Sequence, residues 1–249
     1  MTTTWILGLD ASTPRCVLAL GHVAADGRSE LVAVDDELDL ANQASARLAT
    51  RIAGLLARAG IEARQIGVVG CGRGPGTFTG TRVALATAKG LASGLGCPLL
   101  PVSTLAALAW TVDATAGAPT ILATLDARRG EVYGALLRCD PAATHETWLA
   151  PEGVLTMEEL ARAVAAQGRP DAVIGRGAAA YPDAIPADWP TTQVVEGPSP
   201  QGLWRASVAA YQRGEAGDPS AAEAVYLRKS YAELGLNRPK RVFTKSPFV

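Results

Sequence analysis

Histidine is nearly missing from this chain. There are two, His22 and His145, and they lie far apart. A zinc site of spaced His and Cys ligands has almost no material here, and Ser12 and Ser103 have no evident His-Asp partners for nucleophilic hydrolysis. The four cysteines, Cys16, Cys71, Cys97 and Cys139, are scattered with no C-x-x-C pair, which predicts reduced, buried thiols and a cytoplasmic location. No run approaches the roughly 18 apolar residues of a membrane span, and Met1-Thr-Thr-Thr-Trp5 lacks the positive n-region of a signal peptide. Phosphate-loop signatures are absent too. No glycine pair is followed by Lys-Ser/Thr as G-x-x-x-x-G-K-[ST] requires, and the G-x-G-x-x-G pattern begun at Gly74 meets Thr79 where it needs glycine.

Charge of one sign is also missing: the net charge is −1, which argues against a protein that grips nucleic acid by itself. The distribution is uneven, with Arg228, Lys229, Arg238, Lys240, Arg241 and Lys245 against Glu233 at the C-terminal end. Such a tail is either a solvated end or a contact for RNA or a partner. With 249 residues, 48% hydrophobic and 19% charged, the chain reads as globular and long enough for two lobes of roughly 100 residues each.

Apolar runs predict strands at 5–9, 15–24, 30–35, 66–70, 98–102, 120–126, 131–138 and 172–175, with antiparallel pairing of the first two around the turn Asp10–Pro14. A helix is expected at about 42–59, where Leu48, Ile52, Leu55, Leu56 and Ala59 share one face. Others are expected at 80–95, from Ser103 to about 112, from the Thr156/Glu159 capping box to about 168, and from Ser199-Pro200 to about 214. Landmarks recur in order. Leu9-Asp-Ala11 returns as Leu125-Asp-Ala127, and Val68-Val-Gly-x-Gly72 as Val173-Ile-Gly-x-Gly177. Two related lobes would explain this; chance similarity of strand–turn sequences is the alternative.

The segment Gly70–Gly80 is either a tight strand-to-helix turn or, with free N–H groups at a helix start near Thr79, an anion seat. In the helix after it, Gly80, Ala84, Ala88 and Ala92 lie four apart, as do Ala86, Gly90 and Gly94, and only Arg82 and Lys89 carry charge. Each interior glycine costs about 1 kcal/mol relative to Ala. Close packing of another backbone is the natural return, either inside the same lobe or from a partner.

Several blocks together resemble the TsaB (YeaZ) family: Ile6-Leu-Gly-Leu-Asp-Ala-Ser-Thr13, Gly72-Arg-Gly-Pro-Gly-Thr-Phe-Thr-Gly-Thr-Arg82, Ala86-Thr-Ala-Lys-Gly-Leu91, Pro101-Val-Ser-Thr-Leu105, Leu125-Asp-Ala-Arg-Arg-Gly-Glu-Val-Tyr133 and Val225-Tyr-Leu-Arg-Lys229. Ala41-Asn-Gln-Ala-Ser45 departs from the His-Ser/Thr-Gln that many members carry. The resemblance implies an α/β fold of the actin/Hsp70-like (ASKHA, ribonuclease-H-like) type with two lobes, 1–103 and 104–198. The helix 199–214 would pack back on the first lobe, and a basic tail would follow over 215–249. It implies pairing with the catalytic paralogue TsaD, participation of the ATPase TsaE, and homodimers when TsaD is absent. The complex would transfer threonylcarbamoyl to the adenosine 3′ of the anticodon of tRNAs reading ANN codons, and the chain would meet tRNA only through the complex. In the actin-like fold the two hairpin turns hold nucleotide phosphates. Here Asp10, Ser12, Thr13 and Asp126 would form a degenerate, weak site hindered by Arg128, Arg129 and Arg176, with no catalytic residue, no metal and no cofactor of the chain's own. ATP or ADP with Mg would be held at the joint with the partner. The partner-facing surface would comprise Arg73, Thr77, Phe78, Gly80, Arg82, Ala84, Ala88, Lys89, Leu48 and Ile52. An independent actin-like ATPase or sugar-kinase relative is the competing reading.

Overall fold

The structure, a computed structural model, describes residues 3–38, 44–113 and 117–228. The basic residues beyond Arg228, and residues 41–43 of the divergent Ala41–Ser45 segment, lie outside the described residues.

The first apolar run forms β1 (Thr3–Asp10), turns at Asp10–Pro14 and returns as β2 (Arg15–Ala24), antiparallel with Asp10 opposite Val17. β3 (Ser29–Leu38) adds to β2, and β4 (Ile66–Gly72) and β5 (Leu99–Val102) run parallel to β1, giving the order β3-β2-β1-β4-β5. The second sheet has the order β8-β7-β6-β9, from β6 (Thr120–Arg128), β7 (Glu131–Asp140), β8 (His145–Thr156) and β9 (Ala172–Ile174). The helices are α1 (Ala44–Ala59), α2 (Phe78–Leu95), α3 (Thr104–Ala109), α4 (Met157–Ala165), α5 (Arg176–Ala180) and α6 (Pro200–Gln212).

The duplication suggested by the sequence is visible in the topology. Each half runs through three antiparallel strands, a helix, a strand parallel to the first, a second helix, a further parallel pairing and a third helix. In the second half that further pairing shrinks to one bridge, Ile174 with Gln193. The hairpin turns match in detail: Asp10 Oδ1 accepts the Ser12 N–H, and Asp126 Oδ1 accepts the Arg128 N–H, both at 2.7 Å. The third helices of the two halves, α3 and α6, pack together between the sheets, with Ile6, Val17, Leu105, Trp110, Ile121 and Leu203 in the central core. α6 rests on the strands of the first sheet. α1 and α2 cover that sheet's other face over Leu7, Leu9 and Val69, and α4 and α5 cover the second sheet over Leu122, Val132 and Val173. This is the two-lobed actin/Hsp70-like α/β fold.

β8 and the short α5 are the elements missing from the sequence expectations, and β8 is the longer. Pro151 and Gly153 interrupt it, but it is an edge strand, where a missing ladder donor is tolerated. α2 begins at Phe78 rather than near residue 80, because the Thr77 hydroxyl caps it by accepting the Gly80 N–H. α3 ends at Ala109, short of the expected 112. The capping box of Thr156 and Glu159 forms as expected. All four cysteines are buried and none is in a disulfide, and burial pushes the Cys139 thiol up to about 12. Among the described residues, no helix is long and apolar enough to cross a membrane.

Candidate functional site: the inter-lobe cleft and the outer helix face

The glycine-rich segment folds onto the turn of the first hairpin. A Cβ on Gly76 would lie 2.3 Å from the Ser12 carbonyl oxygen, and one on Gly80 would lie 2.0 Å from that of Ala11. The Thr77 N–H donates to Ser12 O at 2.6 Å. These glycines therefore serve backbone-on-backbone contact within the lobe, which favours the tight-turn reading of the segment.

Behind that contact sits Asp10, fully buried. Oδ1 takes the Ser12 N–H at 2.7 Å and Oδ2 the Thr104 hydroxyl at 2.9 Å. Thr104 thereby spends its proton, so the Ser12 hydroxyl donates to Thr104 Oγ1, also at 2.9 Å. Gly72 leaves room for the carboxylate, since a Cβ there would stand 2.2 Å from Oδ2. Burial pushes the Asp10 carboxyl above its ordinary range, while the hydrogen bonds from Ser12 and Thr104 pull it partway back.

The cleft between the lobes has a volume of about 450 Å³ and is lined by Ser12, Thr13, Thr77, Asp126, Arg128 and Arg176, among others. Three of the four residues expected at the nucleotide turns, Ser12, Thr13 and Asp126, meet there. Asp10 does not reach it, because its carboxylate is closed off by its own partners. Thr13 is occupied as well, donating to Arg15 O and packed against Gly197. Arg128 adopts φ 67° and stands exposed on the rim, 3.7 Å from Asp126. Arg176 pairs with Glu196 along the wall. Arg128 and Arg176 line the cleft rather than fill it, which corrects the expectation that they block it. The residues fit a nucleotide–magnesium group poorly: the buried acid cannot present an oxygen to a metal-bound water, and charged side chains replace a backbone cradle. Among the described residues, no cluster of His, Cys, Asp or Glu could hold a metal ion.

The expected partner surface divides in two. Leu48, Ile52, Ala84 and Ala88 are buried in the core beneath α1 and α2. They correct the expectation: the stripe of Ala84, Ala88 and Ala92 lets α2 lie close on β4 instead of meeting a partner. Arg73 also turns inward, pairing with Glu152 of β8 at 2.6 Å. Phe78, Thr77 and Arg82 are exposed, and Gly80 and Lys89 partly so. The Arg82 guanidinium stacks 3.6 Å over the Phe78 ring and donates to the Tyr226 hydroxyl at 3.0 Å.

The outward face of α2 is the other stripe, Ala86, Gly90 and Gly94. Beside it, α1 exposes Ala46, Ala49, Thr50, Ala53 and Ala57. A Cβ on Gly90 or Gly94 would meet nothing within 4 Å. The packing of the single chain therefore supplies no reason for either glycine. The α1 residues were not singled out from sequence, and the signal that would have found them is the complement of the Leu48–Ile52–Leu55 face.

β8 carries two ties between the lobes. Glu152 accepts from Arg73 and from the Ser103 hydroxyl, the latter at 2.7 Å. Buried Glu146 accepts from Trp110 Nε1 at 2.9 Å and pairs with Arg213, after α6, at 2.8 Å.

Comparison with known proteins places this geometry. The family model for TsaD, tRNA N6-adenosine threonylcarbamoyltransferase, matches residues 39–173. A solved structure of YeaZ from Pseudomonas aeruginosa is 30% identical, with a TM-score of 0.75 over 90% of this chain and 100% of that one. The chain belongs to the TsaB (YeaZ) family. A second Pseudomonas aeruginosa structure, described as an uncharacterized protein with similarity to peptidase YeaZ, is 31% identical with a TM-score of 0.78 over the same shares. The tRNA threonylcarbamoyladenosine biosynthesis proteins TsaB of Haemophilus influenzae and Escherichia coli are each 36% identical over about half of this chain. The aligned part of the chain spans about half the length of those curated relatives, 53% in each case.

Proposed function

We propose that this chain is a non-catalytic subunit of tRNA threonylcarbamoyladenosine formation, docking through the outer face of α1 and α2 onto a TsaD-type catalytic protein. The observation that carries the reading is the pair Gly90 and Gly94, the first inside α2 and costly to it, the second in its last turn, and both unused by the monomer. A row of small side chains over two adjacent helices is suited to close helix-on-helix packing, which needs shallow side chains at the crossing. The TsaB names of its relatives support this reading, in which the complex transfers a threonylcarbamoyl group to the adenosine 3′ of the anticodon in tRNAs reading ANN codons, in the cytoplasm, with TsaE as a further component. The committed Asp10 and the poor fit of the cleft support leaving the chemistry, and any ATP or ADP with Mg²⁺, to the joint with the partner.

Reconstitution with purified components tests this. Threonylcarbamoyl transfer to tRNA should be absent with the chain alone and should rise when it is added to the catalytic subunit. Nucleotide hydrolysis by the chain alone, abolished by Asp10→Asn, would overturn the non-catalytic assignment.

A further inference from the structure

After α6 the chain runs back along α2. Gly217 pairs with Leu99 through two backbone hydrogen bonds of 2.9 Å. Ser220 O accepts from Lys89 Nζ at 3.1 Å, and Ala222 is buried in the core shared with α2. The Val225 N–H donates to Arg73 O at 2.9 Å. Tyr226 then stacks beside Phe78, ring centroids 5.6 Å apart, and takes the hydrogen bond from Arg82. Arg228 crosses to the second lobe, donating to Ala127 O at 2.6 Å and pairing with Glu131 at 2.9 Å.

Between this segment and α2 lies a groove of about 570 Å³. Leu85, Ala86, Ala222 and Ala224 give it an apolar floor of mostly short side chains, and two cations, Arg82 and Lys89, one acid, Glu223, and the Tyr226 ring complete the lining. The groove shares Ala86 with the outward stripe that continues to Gly90 and Gly94. Tyr226 walls the groove and is 50% exposed, and its stacking partner Phe78, at the edge of the inter-lobe cleft, is 55% exposed. No carboxylate pairs with Arg82 among the described residues, and its guanidinium is already held in place by the ring and the tyrosine hydroxyl.

We propose that the chain's own C-terminal segment, residues 217–228, is half of the docking surface, and that the groove it makes with α2 seats an apolar helix of the catalytic subunit carrying a carboxylate opposite Arg82. The inference rests on the subunit reading above and adds to it a second wall, an anchor and a charge. An aromatic pair with a pre-positioned arginine, next to a shallow apolar floor, is the composition of an interface hot spot. A guanidinium fixed in advance loses little freedom on meeting a carboxylate.

The test is calorimetric titration of the full chain with the purified TsaD-type subunit of the same organism, with circular dichroism as the folding control. Tyr226→Ala and Arg82→Glu should each weaken binding by about tenfold or more, while Tyr226→Phe, which keeps the ring, should stay within about threefold of wild type. Gly90→Leu separates the two readings. If it abolishes binding while Tyr226→Ala and Arg82→Glu bind as wild type, the groove is overturned and the subunit reading stands. If wild type does not bind, both fall. If the two variants lose only self-association in sedimentation, the groove seats a second copy of this chain, and the proposal is wrong.

Discussion

Asp10 shows how an acid at a hairpin turn can be wholly committed to holding the fold together. Its two oxygens hold the first hairpin to the start of α3, and Gly72 makes the space. Because burial raises its folded pKa above the unfolded value, the contribution of Asp10 to stability is fully present below the unfolded pKa and is lost as pH rises through the folded one. Asp10→Asn can keep both contacts with the Thr104–Ser12 hydroxyl chain reversed. It should melt no lower than wild type at neutral pH and should lose that part of the pH dependence. Asp10→Ala should cost about 2 kcal/mol by stranding the Ser12 N–H and the Thr104 hydroxyl. Urea titrations of both variants across the acid range check this, and an Asn variant much less stable than wild type at neutral pH would contradict it.

At the scale of elements, α2 separates what sequence could tell from what it could not. Its existence, its small residues and their spacing by four are plain in the sequence. Which stripe faces inward is marked by a single charge, Arg82, four residues before Ala86 on the outward row, since both stripes are otherwise small. The choice is made by β4 and α1, which take Ala84 and Ala88, leaving Gly90 and Gly94 outside. α1 was easier, since Leu48, Ile52 and Leu55 against Arg47, Arg51 and Arg58 announce the buried side; the arginines go to Asp35 and Glu37 of β3. β8 was illegible because its proline and glycine are tolerated only by virtue of its place at a sheet edge, which is a tertiary fact. Of the candidate site, the cleft residues were found by the resemblance, but the inward turn of Asp10 and Arg73 depends on Thr104 and Glu152, distant in sequence. Gly90→Ala should stabilise the isolated chain by about 1 kcal/mol, as the added methyl meets open space. Ala88→Glu should unfold it, because the charge would enter a closed core. Thermal melts distinguish the two outcomes, and an Ala88→Glu chain that melts like wild type would contradict the packing described.

Across the whole molecule, the lobes are joined by more than the α3–α6 pair. Arg73–Glu152, Arg213–Glu146 and Arg228–Glu131 span them from different elements. Glu146 is the most enclosed of these acids, its side chain 2% exposed. Arg213→Met would leave its charge with Trp110 alone and should destabilise the chain by roughly 3 kcal/mol. Glu146→Gln, which keeps the Trp110 bond, should cost less. Such joined lobes suit the proposed subunit role, in which the surface presented is the outer side of α1 and α2. The most direct measurement is sedimentation of the chain with the proposed TsaD-type partner, comparing wild type with Ala53→Arg, a substitution on the exposed side of α1. The account predicts a heterodimer for wild type and separate species for Ala53→Arg, with both chains melting at nearly the same temperature. An Ala53→Arg chain that still forms the complex with wild-type affinity would contradict it.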